Sequence, residues 1–178
     1  MLYPTILPFY LYLINNNNIA INPDILDSGV DAIAFDVTNY EMTLTFKGEW
    51  FRVYDKNQNI IRLGKIGSVF GKQFAYGVDA AVIVNDPDSN VFHPSDYLYL
   101  FKGDIVSRYL IYLFGRHKSE LMIISEANDL HKLSQISDKL PDSIDTVIAY
   151  NGYVYLFRNN TQYKLYMKNP VIMRQLFD

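Results

Sequence analysis

The chain has 178 residues and a mass of 20.7 kDa, the size of one ordinary domain. Its 49% hydrophobic and 20% charged residues exclude an intrinsically disordered chain, and 15 Tyr and 11 Phe against a single Trp favour strands with half-buried faces. A net charge of −3 excludes a generally basic surface for nucleic acid or anionic lipid, and the lack of cysteine excludes disulfides and thiolate-ligated metal.

The first fourteen residues, MLYPTILPFYLYLI, are apolar, but two prolines interrupt them and no basic leader or small-residue cleavage site accompanies them. No run reaches transmembrane length, so membrane insertion is not expected. With cysteine absent as well, a cytoplasmic location is the expectation. A first strand is expected at Tyr10–Ile14, followed by four asparagines as a hairpin loop. A helical turn at Pro23–Leu26 leads to strands at Asp31–Phe35, Glu41–Phe46 and Trp50–Asp55. The stretch KNQNIIRLG then reads as a turn and a further strand. Ile66–Phe70 holds a turn of helix. Strands follow at Asp79–Val84 and Tyr97–Phe101, separated by the polar loop NDPDSNVFHPSD. Glu120–Leu133 reads as a slightly longer helix, with LMII competing for strand, and Leu133–Leu140 as one or two helical turns. Asp145–Tyr150 and Tyr153–Phe157 flank Asn151–Gly152, the favoured dipeptide of a two-residue hairpin turn.

One small motif recurs along the chain. GVDAI (Gly29–Ile33), GVDAA (Gly77–Ala81) and SIDTV (Ser143–Val147) each precede an aromatic strand that ends in Phe, a basic residue and a tight turn. Those strand-and-turn segments are MTLTFKGE, YLYLFKGD and YVYLFRNN, and the third strands WFRVY, IVSRY and TQYKLY correspond in turn. A worn fourth copy opens the chain, with YLYLINNN in place of the aromatic strand and Pro4 where the others have Asp. Four small sheets that cannot each bury two faces alone pack radially. The expected fold is therefore all-β: a single-domain four-bladed β-propeller over residues 1–178 with short helices between the blades. The blades are expected at 1–29, 30–77, 78–143 and 144–178.

The chain resembles the hemopexin-like repeat family in GVDAI, GVDAA and SIDTV, in FKGE, FKGD and FRNN, and in FRVYD, SRYL and YKLY. Short helical segments also precede each next Asp. The resemblance implies four blades and a central channel in which first-strand backbone carbonyls hold a cation such as calcium or sodium. Matched residue by residue, it places Pro4, Asp31, Asp79 and Asp145 at the first carbonyl layer. Ile6, Ile33, Ala81 and Val147 fall at the second. Related domains join first blade to last by a disulfide, which this chain lacks. Haem is suggested by the family name alone, and where it resembles serum hemopexin the family uses two propellers for it, so haem is not expected of one unit.

Read from the residues themselves, each repeated Asp has a plainer role in ending a turn by hydrogen-bonding backbone. Lys47, Lys102 and Arg158 recur after the strand Phe and are expected to be structural, their stems covering aromatic surface. His93, His117 and His131 are the three histidines, and their spacing does not build a zinc site. Leu110–Leu133 departs from the repeat, which makes Leu113, Arg116, His117 and Lys118 candidates for partner contact. No nucleophile-elbow, phosphate-loop or zinc-protease motif is present. The expected function is therefore a non-catalytic module that binds a protein or small-molecule ligand. A carrier or storage protein for haem or a polyamine is the first alternative, and an enzyme with a cryptic rim or channel site the second. Pairing as a homodimer is expected through Leu2–Ile14 or Leu110–Phe114.

Overall fold

The computed structural model describes residues 29–36, 42–85, 96–114, 120–150 and 153–166. Eleven strands run through them in chain order. The first group is β1 (Ala32–Asp36), β2 (Met42–Lys47), β3 (Trp50–Tyr54) and β4 (Ile60–Lys65), followed by helix α1 (Ile66–Val69) and a 3-10 turn at Lys72–Phe74. The second is β5 (Ala80–Asn85), β6 (Asp96–Lys102), β7 (Ile105–Phe114) and β8 (Glu120–Lys132), followed by α2 (Leu133–Ile136). The third is β9 (Thr146–Tyr150), β10 (Tyr153–Arg158) and β11 (Thr161–Tyr166).

Each group is an antiparallel meander, β1-β2-β3-β4, β5-β6-β7-β8 and β9-β10-β11. The alternation of aromatic and aliphatic residues sets the register, because a one-residue slip would turn every buried side chain to the wrong face. Met42, Leu44 and Phe46 share one face of β2, and Val154 and Leu156 share one face of β10. Tyr150 stands opposite Tyr153, as the Asn151–Gly152 hairpin signal requires.

The sheets are joined by side chains rather than by a shared ladder. One apolar cluster lies between the first two sheets and includes Leu44, Phe46, Phe51, Ile66, Phe70, Leu98, Leu100 and Tyr109. A second lies between the last two and includes Tyr97, Tyr99, Phe101, Leu133, Val147, Val154 and Leu156. Strand β1 lies beside β5, and β5 beside β9. Phe70, carried just past α1, sits where the first two sheets meet. Its ring is edge-on to Phe51 and to Tyr109, each with centroids 5.1 Å away, and the Tyr109 hydroxyl donates to the Phe70 carbonyl.

This architecture corrects two expectations. Three separate open sheets of four, four and three strands replace the closed four-bladed propeller. Copies of a motif count units but do not dictate that their faces close into a ring. The strands assigned to the first unit, with Pro4, Ile6 and Tyr10–Ile14, lie outside the described residues, as does the helical turn at Pro23–Leu26. The second correction concerns Glu120–Leu133, which is strand β8 rather than helix. Its LMII run finds a matching partner in LIYLF of β7, with Leu110 opposite Ile124 and Leu113 opposite Leu121. Cross-strand pairing of such apolar and β-branched residues outweighs a short, poorly capped helix. The short helices after the fourth strands fall where expected, at Ile66–Val69 and Leu133–Ile136.

Candidate functional site

The beginnings of β1, β5 and β9 converge on a small cavity lined by Val30–Ile33, Asp79–Ala81 and Asp145–Thr146. Its volume of about 10 Å³ accommodates roughly one water-sized occupant. Organic ligands need pockets of roughly 300 Å³ or more, so neither haem nor a polyamine fits inside it.

The three repeated Asp residues stand at this cavity and make the same pair of bonds. The backbone N–H groups of Asp31, Asp79 and Asp145 donate to the carbonyls of Phe46, Phe101 and Phe157, at 2.8, 2.9 and 2.9 Å. Their carboxylates in turn accept from the N–H groups of Gly48, Gly103 and Asn159, at 2.6, 2.7 and 2.7 Å. Each Asp thus ties the start of its first strand to the hairpin turn between the second and third strands. The expectation that each Asp ends the preceding turn on its own backbone is corrected: the turn that it holds is the one between the second and third strands of its sheet. Those turn residues share a left-handed backbone, with φ of 53° at Gly48, 54° at Gly103 and 52° at Asn159. That conformation suits the tight hairpins of twisted strands and favours Gly or Asn.

The basic residue before each turn is structural where its contact is resolved. The Lys102 ammonium donates to the Gly77 carbonyl at 2.8 Å, and the Arg158 guanidinium forms an ion pair with the Asp145 carboxylate. The other side of the turn holds the outer part of the sheet. Ile66 and Leu133, the first residues of the two helices, donate their N–H groups to the carbonyls of Glu49 and Asp104, both at 2.8 Å. Lys65 and Lys132 repeat the contact in charge, 3.6 Å from Glu49 and 3.4 Å from Asp104.

Among the predicted site residues, Asp31, Ile33, Asp79, Ala81 and Asp145 therefore lie together at one cavity. Val147 instead packs in the cluster between the second and third sheets. Among the described residues, no group of three or more His, Cys, Asp or Glu side chains is placed to hold a metal ion. His131 is exposed on β8, while His93, Arg116, His117 and Lys118 lie outside the described residues. Leu113 belongs to β7. Sequence reasoning marked the KGE, KGD and RNN turns but missed that Gly48, Gly103 and Asn159 are the partners of the repeated Asp. The signal was that both features recur in the same order.

Among the described residues, Tyr109 is the group whose titration departs clearly from its ordinary value of 10.0. Burial raises it, and hydrogen bonds with Ser107 and Gln73 partly offset the rise. It belongs to the packing between sheets, on the far side of β5 from the third sheet, and does not line the cavity.

No protein-family model matches the chain, and no curated protein matches it. Solved structures do. A plant lectin with two metal binding sites from Cicer arietinum is 18% identical, with a TM-score of 0.57 over 84% of this chain and 65% of that one. A seed albumin from Lathyrus sativus is 21% identical, with a TM-score of 0.52 over 77% of this chain and 60% of that one. A 2S albumin seed protein from Dolichos is 17% identical, with a TM-score of 0.57 over 93% of this chain and 73% of that one. The likeness is one of fold. It corrects the hemopexin-like resemblance: the small antiparallel-sheet fold of seed albumins and a plant lectin is what this chain shares. The chain spans about 65% and 60% of the first two of these structures.

Proposed function

We propose that the protein is a non-catalytic storage protein or small-ligand carrier. The observation that carries this reading is the likeness of fold to two seed albumins and a lectin. Two features of the site support it. The three carboxylates at the cavity are engaged as acceptors for turn N–H groups. The cavity beside them is too small to admit an organic substrate. The first-strand cavity is therefore not the site of an organic ligand such as haem or a polyamine. This replaces the expectation of a propeller-based interaction module. No described helix is long and apolar enough to cross a membrane.

A thermal-shift screen with haem, spermine, calcium and sodium tests the reading. Binding to the native state raises the melting temperature by mass action, so a carrier shows a dose-dependent rise with haem or spermine. A rise with calcium or sodium but not with haem or spermine overturns the organic-ligand carrier reading. Absence of any shift leaves storage. Reproducible turnover in a substrate panel overturns the non-catalytic reading. Self-pairing through Leu2–Ile14 or Leu110–Phe114 belongs to the same proposal, and light scattering checks it: a mass constant near 20.7 kDa on concentration removes it.

A further inference from the structure

The outer half of the first sheet carries residue types that the repeat does not call for. Trp50 and Arg52 alternate along β3 on the face opposite Phe51 and Val53, which are buried between the first two sheets. On β4, Lys65 stands opposite Trp50, Leu63 opposite Arg52 and Ile60 opposite Tyr54. Trp50, Ile60 and Leu63 are 48%, 54% and 56% exposed, and Arg52 and Lys65 are exposed beside them. The Lys65 ammonium lies 5.6 Å from the Trp50 ring centre and 3.6 Å from the Glu49 carboxylate. Arg52 meets no carboxylate among the described residues. In the second sheet the places of Trp50 and Arg52 hold Ile105, which packs toward the first sheet, and the buried Ser107.

We propose that this surface docks an extended segment of a partner protein in which acidic and apolar residues alternate, added as a strand to the outer edge of β4. Among the described residues β4 pairs with β3 alone, so its other edge presents main-chain groups in a row. Strand β8 approaches on the opposite face, where Ile61 and Ile123 pack against the cluster between the first two sheets. A row of main-chain groups suits a chain segment rather than a small molecule: main-chain bonds supply affinity and alternate side chains supply selection. Charge complementarity chooses the segment. WFRVY of β3 and IIRLGK of β4 hold three basic residues and no acid, in a protein whose net charge is −3. A basic strand is repelled there and an acidic one attracted. Charge on an edge also blunts indiscriminate pairing, but blunting does not call for a half-exposed Trp50 on the same face as Ile60 and Leu63. Apolar surface rimmed by charge marks protein contacts, and Trp and Arg are the residues on which such contacts most depend. A phosphate or sulphate polymer fits less well. It offers nothing apolar to those three side chains and is repelled by an acidic protein as a whole. This inference goes beyond the storage or carrier reading, because it needs no small ligand.

Trp50 is the chain's single tryptophan, so its fluorescence reports directly on this face. The full chain is titrated with a capped, strand-length peptide of alternating Glu and Val, with its Lys and Val counterpart, and with the Glu and Val peptide N-methylated at every amide. The expected result is a saturable blue shift of Trp50 emission with the first peptide, and binding weaker by about tenfold or more with the other two. Arg52→Glu, at an exposed position, weakens binding of the first peptide by about tenfold or more, whereas Lys72→Glu, an equal change of charge at an exposed position off these strands, leaves it unchanged. Unshifted Trp50 emission at the solubility limit of the Glu and Val peptide overturns the proposal. So does equal affinity for the Lys and Val peptide, which removes the selection by charge, or for the N-methylated one, which removes the edge pairing. A blue shift that grows with protein concentration alone, together with a doubled mass in light scattering, overturns it in favour of a second copy.

Discussion

The carboxylate of Asp79 accepts a hydrogen bond from the backbone N–H of Gly103, 24 residues further along the chain and 2.7 Å away. The same bond recurs from Asp31 to Gly48 and from Asp145 to Asn159, so one side chain per sheet fastens the first strand to the turn beyond the second.

Asp79→Ala removes that acceptor and leaves the Gly103 N–H to water. The bond is exposed, which keeps the cost modest, about 1 kcal/mol. Asp79→Asn, which keeps an acceptor oxygen, loses less. Asp145→Ala costs more than Asp79→Ala because it also removes the ion pair with the Arg158 guanidinium. Urea denaturation of the three variants checks the order; equal losses at positions 79 and 145 would contradict it.

Asn159 holds a left-handed backbone that Gly48 and Gly103 hold without a side chain. Asn159→Gly therefore relieves local strain and stabilises the protein by a few tenths of a kcal/mol, up to about 1. Gly103→Ala does the reverse, costing about 1 kcal/mol although open space surrounds the position, because the backbone and not a clash resists the methyl. Thermal melts of both variants, moving in opposite directions, are the expected outcome.

Phe70 fills the junction of the first two sheets with a ring touching Phe46, Phe51 and Tyr109. Phe70→Ala leaves a cavity there and costs about 3–5 kcal/mol. Phe70→Leu keeps most of the volume and should lose well under half of that. A melting temperature for Phe70→Ala within a degree of the parent would show that the ring is not a core element.

Tyr109 has its titration raised by burial, so the folded protein holds this proton more tightly than the unfolded chain. The sign follows from linkage. The contribution is intact below the ordinary tyrosine value of 10.0 and declines as pH rises above it toward the higher folded value. Tyr109→Phe removes that dependence and, at neutral pH, costs about 1 kcal/mol for the lost bond to the Phe70 carbonyl. The measurement is the difference in unfolding free energy between parent and variant from pH 8 to 11, which should narrow as pH rises. A constant difference would refute it.

Much of the strand map was readable because its signals are local. YLYLF and YVYLF alternate with a period of two, and Asn151–Gly152 marks the hairpin between β9 and β10. Glu120–Leu133 reads as helix because SEANDL carries no strand pattern of its own, although LMII competes for strand. Only the presence of β7 in register decides the matter, and that partner is remote information. The repeated Asp was visible as a recurrence, yet its partners stand 17, 24 and 14 residues away, a spacing with no common value for a local pattern to detect. The number and closure of the sheets was the least legible feature. The worn copy around Pro4 shares a layout with the others without fixing what it packs against, and the described chain forms three open sheets.

The pinned turns divide each sheet into a constant end and a free end. At the constant end, the connections from β2 to β3, β6 to β7 and β10 to β11 are each two residues long, held by the Asp carboxylate in all three sheets and by the helix start in the first two. At the opposite end, the links from β1 to β2, β5 to β6 and β9 to β10 run to five, ten and two residues. The three sheets thus differ in length at the end opposite the repeated Asp bonds. Diversification in this scaffold is therefore one-sided: loops at the free end can be lengthened, shortened or exchanged while the frame around β1, β5 and β9 keeps its geometry, and new surface chemistry can be introduced there at little cost to folding.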